Sequence, residues 1–325
     1  MTETKVQLAV LMPVRDDWAS SSVLVQRLDQ ALSQRNCAAE IFLVDDGSVQ
    51  PAPASAFQGS NAAVKTINVI QLRRNLGHQR AIAIGLAYLQ TQCRWDAVVV
   101  MDADGEDTPE GVVALLDAYA ELPNKRAIFA ERSRRSESYV FRFFYHIYRF
   151  VHRGLTGIGV RVGNFSIVPA SYLDNLVALP ELWNHYAAAV FRSRLPFTMR
   201  PIARGKRIAG ESRMNFVALV SHGLSAIAVF GDVVGVRFLI TSLIGALLGA
   251  LAMVVVVVIR FCTNLAIPGW ATYAMGTLLV IVIQLITIAA TFAFVMLSNR
   301  TNLGFVPLRD YSLFLDKVLT IYPHE

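Results

Sequence analysis

The stretch VVVMDADGEDTPEG, residues 98–111, crowds four acids, Asp102, Asp104, Glu106 and Asp107, behind a β-branched run. Carboxylates this close disfavour one another's ionisation, so a chain that keeps them together is expected to hold a cation, or phosphates through one. In extended chain, side chains two apart point to the same side, which makes Asp102, Asp104 and Glu106 candidates for one site. Hard oxygen ligands of this kind suit Mg2+ or Mn2+, which combine a few carboxylates with substrate phosphate oxygens. A DxD triplet alone is a weak signal, because acid-rich loops are common on surfaces. Its place sharpens it: VVVM precedes it, and Thr108 with Pro109 supplies the cap and first position of a following helix.

Other polar groups fall at similar places. LVDDGS, residues 43–48, puts Asp45 and Asp46 at a strand-to-turn junction, where the plain alternative is an ordinary Asp-Gly turn. A receiver domain also begins with paired acids, but two long apolar runs would not follow it. RRNLGHQRAIAIGLAY, residues 73–88, is a basic, glycine-containing loop opening a helix, a natural diphosphate site; His78 reads as a plain helix-start residue with no catalytic part. Two further stretches carry no function. GIGVRVG (157–163) lacks the spacing of a dinucleotide loop and reads as a turn, and QCRWD (92–96) is one residue short of a QxxRW motif and precedes the DxD.

The elements that must position these groups alternate in kind. VQLAVLMPV, AEIFLVDDGS, VIQLRRN and WDAVVVMDAD read as strands, with helices around 20–35 and 77–92 between them. Continuous β-branched strands alternating with helices predict a mostly parallel α/β sheet covered on both faces, with ligands at the carboxyl ends of the strands. Arg15, Asp16 and Asp17, the Asp45–Asp46 pair and the acid cluster all fall at such ends and should converge on one crevice.

Beyond residue 124 the pattern changes. RAIFAERSRRSE ends a further strand among Arg126, Arg132, Arg134 and Arg135. In the next segment Arg142, His146, Arg149 and Arg153 line one helical face, and Phe141, Phe144, Tyr145 and Tyr148 another. A basic stripe beside an aromatic one predicts a helix in the membrane interface, against the plainer reading of a surface helix whose aromatics fill a core. Residues 214–230 are apolar enough for either kind of helix.

The chain of 325 residues is 54% hydrophobic and only 17% charged, too apolar for an ordinary soluble protein. The excess lies in two uncharged stretches, 238–259 and 271–297, each long enough to cross about 30 Å of hydrocarbon as a helix. The N-terminus is acidic and lacks a signal-peptide pattern. Arg237 precedes the first stretch, and Arg300, Arg309 and Lys317 follow the second. The positive-inside bias therefore predicts an integral protein of the cell inner membrane whose large domain and tail both face the cytoplasm. Cys37, Cys93 and Cys262 form no CxxC pair, which argues against a disulfide frame or a zinc site. A net charge of +6 points to an anionic lipid leaflet or phosphorylated substrates; no recognition motif accompanies it, so nucleic acid is not expected. Gly245 and Gly249 in SLIGALLGAL form a GxxxG pair that would serve either self-association, making a homo-oligomer, or a lipid-facing surface.

Taken together, MPV near the start, VDDGS, RNLGHQRAIAIGL, MDADGEDTPE, RIAGESRMN at 207–215 and two apolar stretches separated by IPGW resemble the family 2 glycosyltransferases that act on polyprenyl phosphates, such as dolichol-phosphate mannose synthase and bactoprenol-phosphate glucosyltransferase. The resemblance covers nearly the whole chain. It implies a GT-A fold, Rossmann-like with a mostly parallel sheet, carrying interfacial amphipathic helices and two C-terminal transmembrane helices. The implied divisions are a nucleotide-sugar-binding core over 1–135, an acceptor-side part over 136–235, the membrane segment over 236–298 and a cytoplasmic tail over 299–325.

By the same resemblance the donor is a UDP- or GDP-sugar, the acceptor an undecaprenyl or similar phosphate, and the surroundings membrane lipids. Asp102, Asp104 and Glu106 would hold Mg2+ or Mn2+ on the donor diphosphate, with Glu106 standing where relatives usually carry glutamine. Asp45 and Asp46 would contact the nucleoside. Pro13, Arg15 and Asp17 stand at the positions of the family's PVYNE, here PVRDD, which would alter the base or ribose contact. Arg132 and Arg207 would face the phosphates as catalytic groups beside Asp104, and Arg142 would join Arg132 and Asn164 at the acceptor phosphate. Asn164 stands in VGNFS where relatives often show the acid of GDF. An amide cannot take a proton as a carboxylate can, yet a phosphate dianion needs no strong base. The expected reaction is metal-dependent, inverting sugar transfer to the lipid phosphate. The alternatives are transfer to a glycolipid hydroxyl on the same fold, or a non-catalytic nucleotide-sugar-binding membrane scaffold.

Overall fold

The computed structural model describes residues 5–35, 37–58, 62–132, 151–157, 162–209, 216–264, 267–301 and 304–323. Of the predicted interfacial helix only 151–157 is among them, so Arg142, Arg134 and Arg135 lie outside the described residues. The chain forms two compact units: residues 1–149, 159–229 and 305–325 make one, and residues 150–158 and 230–304 the other.

The first unit is built on one eight-stranded sheet. Its strands are β1 (Val6–Val14), β2 (Cys37–Asp45), β3 (Val64–Leu72), β4 (Ala97–Val100), β5 (Ala127–Arg132), β6 (Val162–Pro169), β7 (Phe197–Ile202) and β8 (Leu315–Tyr322), in the order β7-β5-β6-β4-β1-β2-β3-β8. Strands β1 to β4 are mutually parallel, as their uninterrupted apolar character predicts. Helices α1 (Trp18–Ser33), α2 (His78–Gln92) and α3 (Pro109–Glu121) fall between them and after them. Leu8, Val10, Met12, Ile41, Leu43, Val69 and Val99 are fully buried in the core on one face. Because β4 returns to the far side of β1, the strand order reverses there, and the carboxyl ends of β1 and β4 border the crevice where such sheets bind ligands.

Strand β6, antiparallel to both β4 and β5, carries Asn164 into the sheet. The second departure from an all-parallel sheet is β8. These residues were expected in a tail; they pair antiparallel with β3, from Ile67↔Tyr322 to Leu72↔Leu315. As an edge strand β8 exposes Asp316 and Lys317, a polar edge that discourages further pairing.

In the second unit, α5 (Gly231–Cys262) and α6 (Trp270–Thr301) are long and apolar enough to cross a membrane. Their surfaces expose leucine, isoleucine and valine along most of their length, which suits a hydrocarbon solvent. The glycines of the GxxxG pair are used inside this hairpin. A Cβ on Gly245 would come within 3.0 Å of Leu285, and one on Gly249 within 2.7 Å of Val282. Glycine there lets the two helices approach closely.

Candidate active site

The turns after β1 and β2 are locked together. Asp16, at φ 55°, donates its N–H to Ser48 Oγ at 2.9 Å and accepts the Val49 N–H on Oδ1 at 2.7 Å. Asp45 Oδ1 accepts the Ser48 N–H at 2.8 Å. Arg15 is exposed at the crevice rim, whereas Pro13, expected at the donor, is buried within β1 in register with Val44.

Asp46, expected at the nucleoside, holds a neighbouring loop. Its two carboxylate oxygens accept the N–H groups of Leu76 and Gly77 at 2.6 and 2.9 Å, which shapes the loop that opens α2. Only 4% of Asp46 is exposed, and burial raises its pKa against the opposing pull of those two hydrogen bonds, Arg15 and His78. Gly47, at φ 70°, admits the loop: a Cβ there would lie 2.8 Å from the Asn75 nitrogen.

The four crowded acids each find a different partner. Asp102 Oδ1 lies 3.1 Å from His78 Nε2. Asp104 Oδ2 lies 3.3 Å from Arg207 Nη1, whose Nη2 is 3.4 Å from Asp17 Oδ2. Glu106 pairs with Arg204. Asp107 is structural: its Oδ2 accepts the Asp102 N–H at 2.9 Å, and the predicted cap follows, Thr108 Oγ1 accepting the Gly111 N–H at 3.1 Å. The arginines arrive on the loop after β7, which is strapped to the acid turn by Gly205 N–H to Glu106 O and Ile208 N–H to Asp104 O, at 2.8 and 2.9 Å. Gly105, at φ 88°, is required there, since a Cβ would stand 2.5 Å from Ile208. Burial, and then the charge of Asp102, raise the pKa of Asp104; Arg207 and Arg204 oppose both.

Glu106, expected to join Asp102 and Asp104 as a metal ligand, is paired with Arg204, and among the described residues no three His, Cys, Asp or Glu side chains are grouped to hold a metal. Asp102 and Asp104 alone still fit a divalent ion. They are hard oxygen donors whose mutual repulsion a cation would relieve, and donor phosphate oxygens would complete the shell.

Sequence reasoning missed His78 and Gln79. The Tyr186 N–H, at the start of helix α4 (Tyr186–Arg192), donates to Gln79 Oε1 at 2.7 Å; Gln79 Nε2 donates to Asn164 Oδ1 at 3.1 Å; and Asn164 Nδ2 stands 3.0 Å from His78 Nε2. Asn164, expected at the acceptor phosphate, is thereby linked to Asp102 through His78. Burial works against the charged form of His78, but Asp102 first, then Asp107 and Asp46, outweigh it and raise the pKa. The one available signal was the position of His78 at the first turn of a helix that opens beside the strand ends. Arg132 is the last residue of β5, in register with Ile202. Its side chain lies outside the description.

Residues 9–176, just over half of the chain, match the model of Glycosyl transferase family 2. The chain belongs to glycosyl transferase family 2. It is a glycosyltransferase, similar over 86% of its length, at 25% identity, to an uncharacterized glycosyltransferase of Bacillus subtilis, 84% of which is covered. It is likewise similar, at 23% identity over 88% of this chain and 85% of the relative, to the undecaprenyl-phosphate 4-deoxy-4-formamido-L-arabinose transferase of Klebsiella pneumoniae. The GT-A fold is shared with the glucosyl-3-phosphoglycerate synthase of Mycobacterium tuberculosis, solved with Mn2+, UDP-glucose and phosphoglyceric acid: TM-score 0.51 at 15% identity, over 71% of this transferase and 80% of that chain.

Proposed function

We propose that this transferase moves a sugar from a UDP- or GDP-sugar to a polyprenyl phosphate at the cytoplasmic membrane face, with inversion at the anomeric carbon. The observation that carries the reading is the pairing of Asp104, after β4, with Arg207, on the loop after β7, in a chain that also has two membrane-length apolar helices. The names of the curated relatives, undecaprenyl-phosphate sugar transferases, support the choice of acceptor. The exposed Val220 and Leu224 of the helix Phe216–Ala228 suit an interfacial segment.

Strand β8 lies beyond both apolar helices yet pairs with β3, which supports two crossings that return the chain to the side on which it started. The Lys and Arg residues flanking the crossings favour the cytoplasm for that side.

The Asp102–Asp104 pair would hold a divalent ion, which supplies positive charge to the departing diphosphate. Arg207 and Arg204, now on Asp104 and Glu106, stand beside the acid turn and would exchange carboxylate for phosphate contacts. Arg132 and Arg142 are assigned to the acceptor phosphate by their match to the family pattern. A phosphate oxygen of the lipid attacks the anomeric carbon from the face opposite the leaving group, the bond from that carbon to the diphosphate oxygen breaks, and its electron pair leaves on the nucleoside diphosphate. At neutral pH the lipid phosphate is already mostly a dianion, so no proton need be removed, and Asn164 can orient the acceptor without acting as a base.

The test is transfer of radiolabelled sugar from a panel of UDP- and GDP-sugars to undecaprenyl phosphate in detergent, with Mg2+ or Mn2+ and with chelator. A chelator-sensitive, organic-extractable product is expected. Donor hydrolysis or binding without a lipid product would overturn the acceptor assignment.

A further inference from the structure

The chain that returns from the apolar helices grips the basic loop before α2. Phe314 O accepts the Arg73 N–H at 2.9 Å, Leu315 O accepts Arg73 Nε at 3.1 Å, and Asp316 Oδ1 lies 3.9 Å from Arg73 Nη1. Beside these contacts Trp183, Phe305 and Phe314 form an aromatic cluster. Ring centroids are 3.7 Å apart for Trp183 and Phe305, 5.3 Å for Trp183 and Phe314, and 5.5 Å for Phe305 and Phe314. Arg74 of this loop and Arg80 of the first turn of α2 lie over its rings. The guanidinium carbon of Arg80 is 5.1 Å from the Trp183 centroid, and that of Arg74 is 5.8 Å from Phe314. Both arginines are exposed, and they flank the Leu76–Gly77 segment whose N–H groups Asp46 holds from the other side.

A ring face holds a guanidinium differently from a carboxylate. An ion pair occupies the N–H donors; a cation–π contact fixes the plane and leaves the in-plane N–H edge available for another acceptor. A planar, pre-set fork of donors is the geometry that binds phosphate oxygens in pairs.

We propose that Trp183 and Phe314 are positioning residues for the donor diphosphate, holding Arg80 and Arg74 by their faces so that the guanidinium edges meet phosphate oxygens. The segment 305–322 is on this account part of the donor site and not a tail. The inference rests on the nucleotide-sugar reading above.

The experiment uses the full chain in detergent, with titration of UDP and GDP by calorimetry and steady-state transfer. Trp183→Leu and Phe314→Leu should weaken nucleotide binding and raise the donor KM about three- to tenfold, with kcat and the acceptor KM within about twofold of wild type. Trp183→Phe and Phe314→Tyr, which keep a ring face, should stay near wild type. Arg80→Gln, at an exposed position that leaves the cluster intact, should lose as much as Trp183→Leu, and the double variant should lose no more than either alone. Equal donor affinity in the leucine and aromatic variants, or additive losses in the double variant, would overturn the proposal while leaving the transferase reading standing. A wild-type protein that binds no nucleotide and transfers no sugar would instead sink that reading, and this inference with it.

Discussion

The Arg207 guanidinium lies 3.3 Å from the Asp104 carboxylate, brought there by a loop whose backbone is bonded to the same acid turn. Cation and anion are thus held in one place before any substrate arrives, and removing either leaves the other exposed to uncompensated neighbours.

Asp104→Asn should lower transfer at least about a hundredfold, as expected when a charge-stabilising group is lost from a reacting centre. It should also weaken Mn2+ binding, read by electron paramagnetic resonance, while the protein still elutes as a folded species. Full activity in this variant would remove Asp104 from the site.

The same residue predicts a pH effect on stability. Its folded pKa is raised above the ordinary value of 3.8, so the folded state binds the proton more tightly than the unfolded chain does. The stabilisation is complete below the ordinary value and is lost as pH rises through the raised one. In nucleotide- and metal-free protein the apparent melting temperature should fall across that window, and the fall should be smaller in Asp104→Asn. Parallel profiles for the two proteins would contradict the assignment.

Asp46→Asn sets an NH2 group against one of two backbone N–H donors, Leu76 or Gly77. The expected loss is about 2–4 kcal/mol, since a bond to a charged acceptor is lost and a buried donor left unpaired. Asp45→Asn keeps an oxygen for the Ser48 N–H and should cost far less. Thermal unfolding of the two variants side by side checks the contrast.

Asn164→Asp tests whether the acceptor needs a base. With a phosphate dianion as nucleophile, kcat should not rise, and the acceptor KM should increase several-fold because the new carboxylate repels the phosphate. A roughly tenfold gain in kcat would instead point to a hydroxyl acceptor.

Gly249→Leu should lower the apparent melting temperature, because its first side-chain atom would meet Val282 at 2.7 Å. Overpacking of this kind costs about 1–3 kcal/mol. Light scattering should find the oligomeric state unchanged, since the glycine's contact is within the hairpin; dissociation of an oligomer in this variant would show that the glycine serves self-association.

Much of the fold was legible because its determinants are local. The run VQLAVLMPV has no polar face and must be enclosed, Thr108 and Pro109 start a helix wherever they stand, and residues 238–259 have no charge to keep them out of hydrocarbon. That Asp17 and Asp104 lie near one another followed from strand ends sharing one edge of a sheet, whereas Arg207 reaches both on the loop after β7. What the sequence left open depends on partners distant along the chain. LDKVLTIY is short and broken by charges; only its match to the open edge of β3 makes it a strand. Glu106 reads like a metal ligand by spacing, and only the fold brings Arg204 to it. His78 reads like a helix start until β4 and β6 bring Asp102 and Asn164 to its Nε2. Local patterns decide which elements form, because burial and capping act over a few residues. Which side chains meet is decided by the packing of those elements, since hydrogen bonds and ion pairs depend on distances that no spacing in the sequence records.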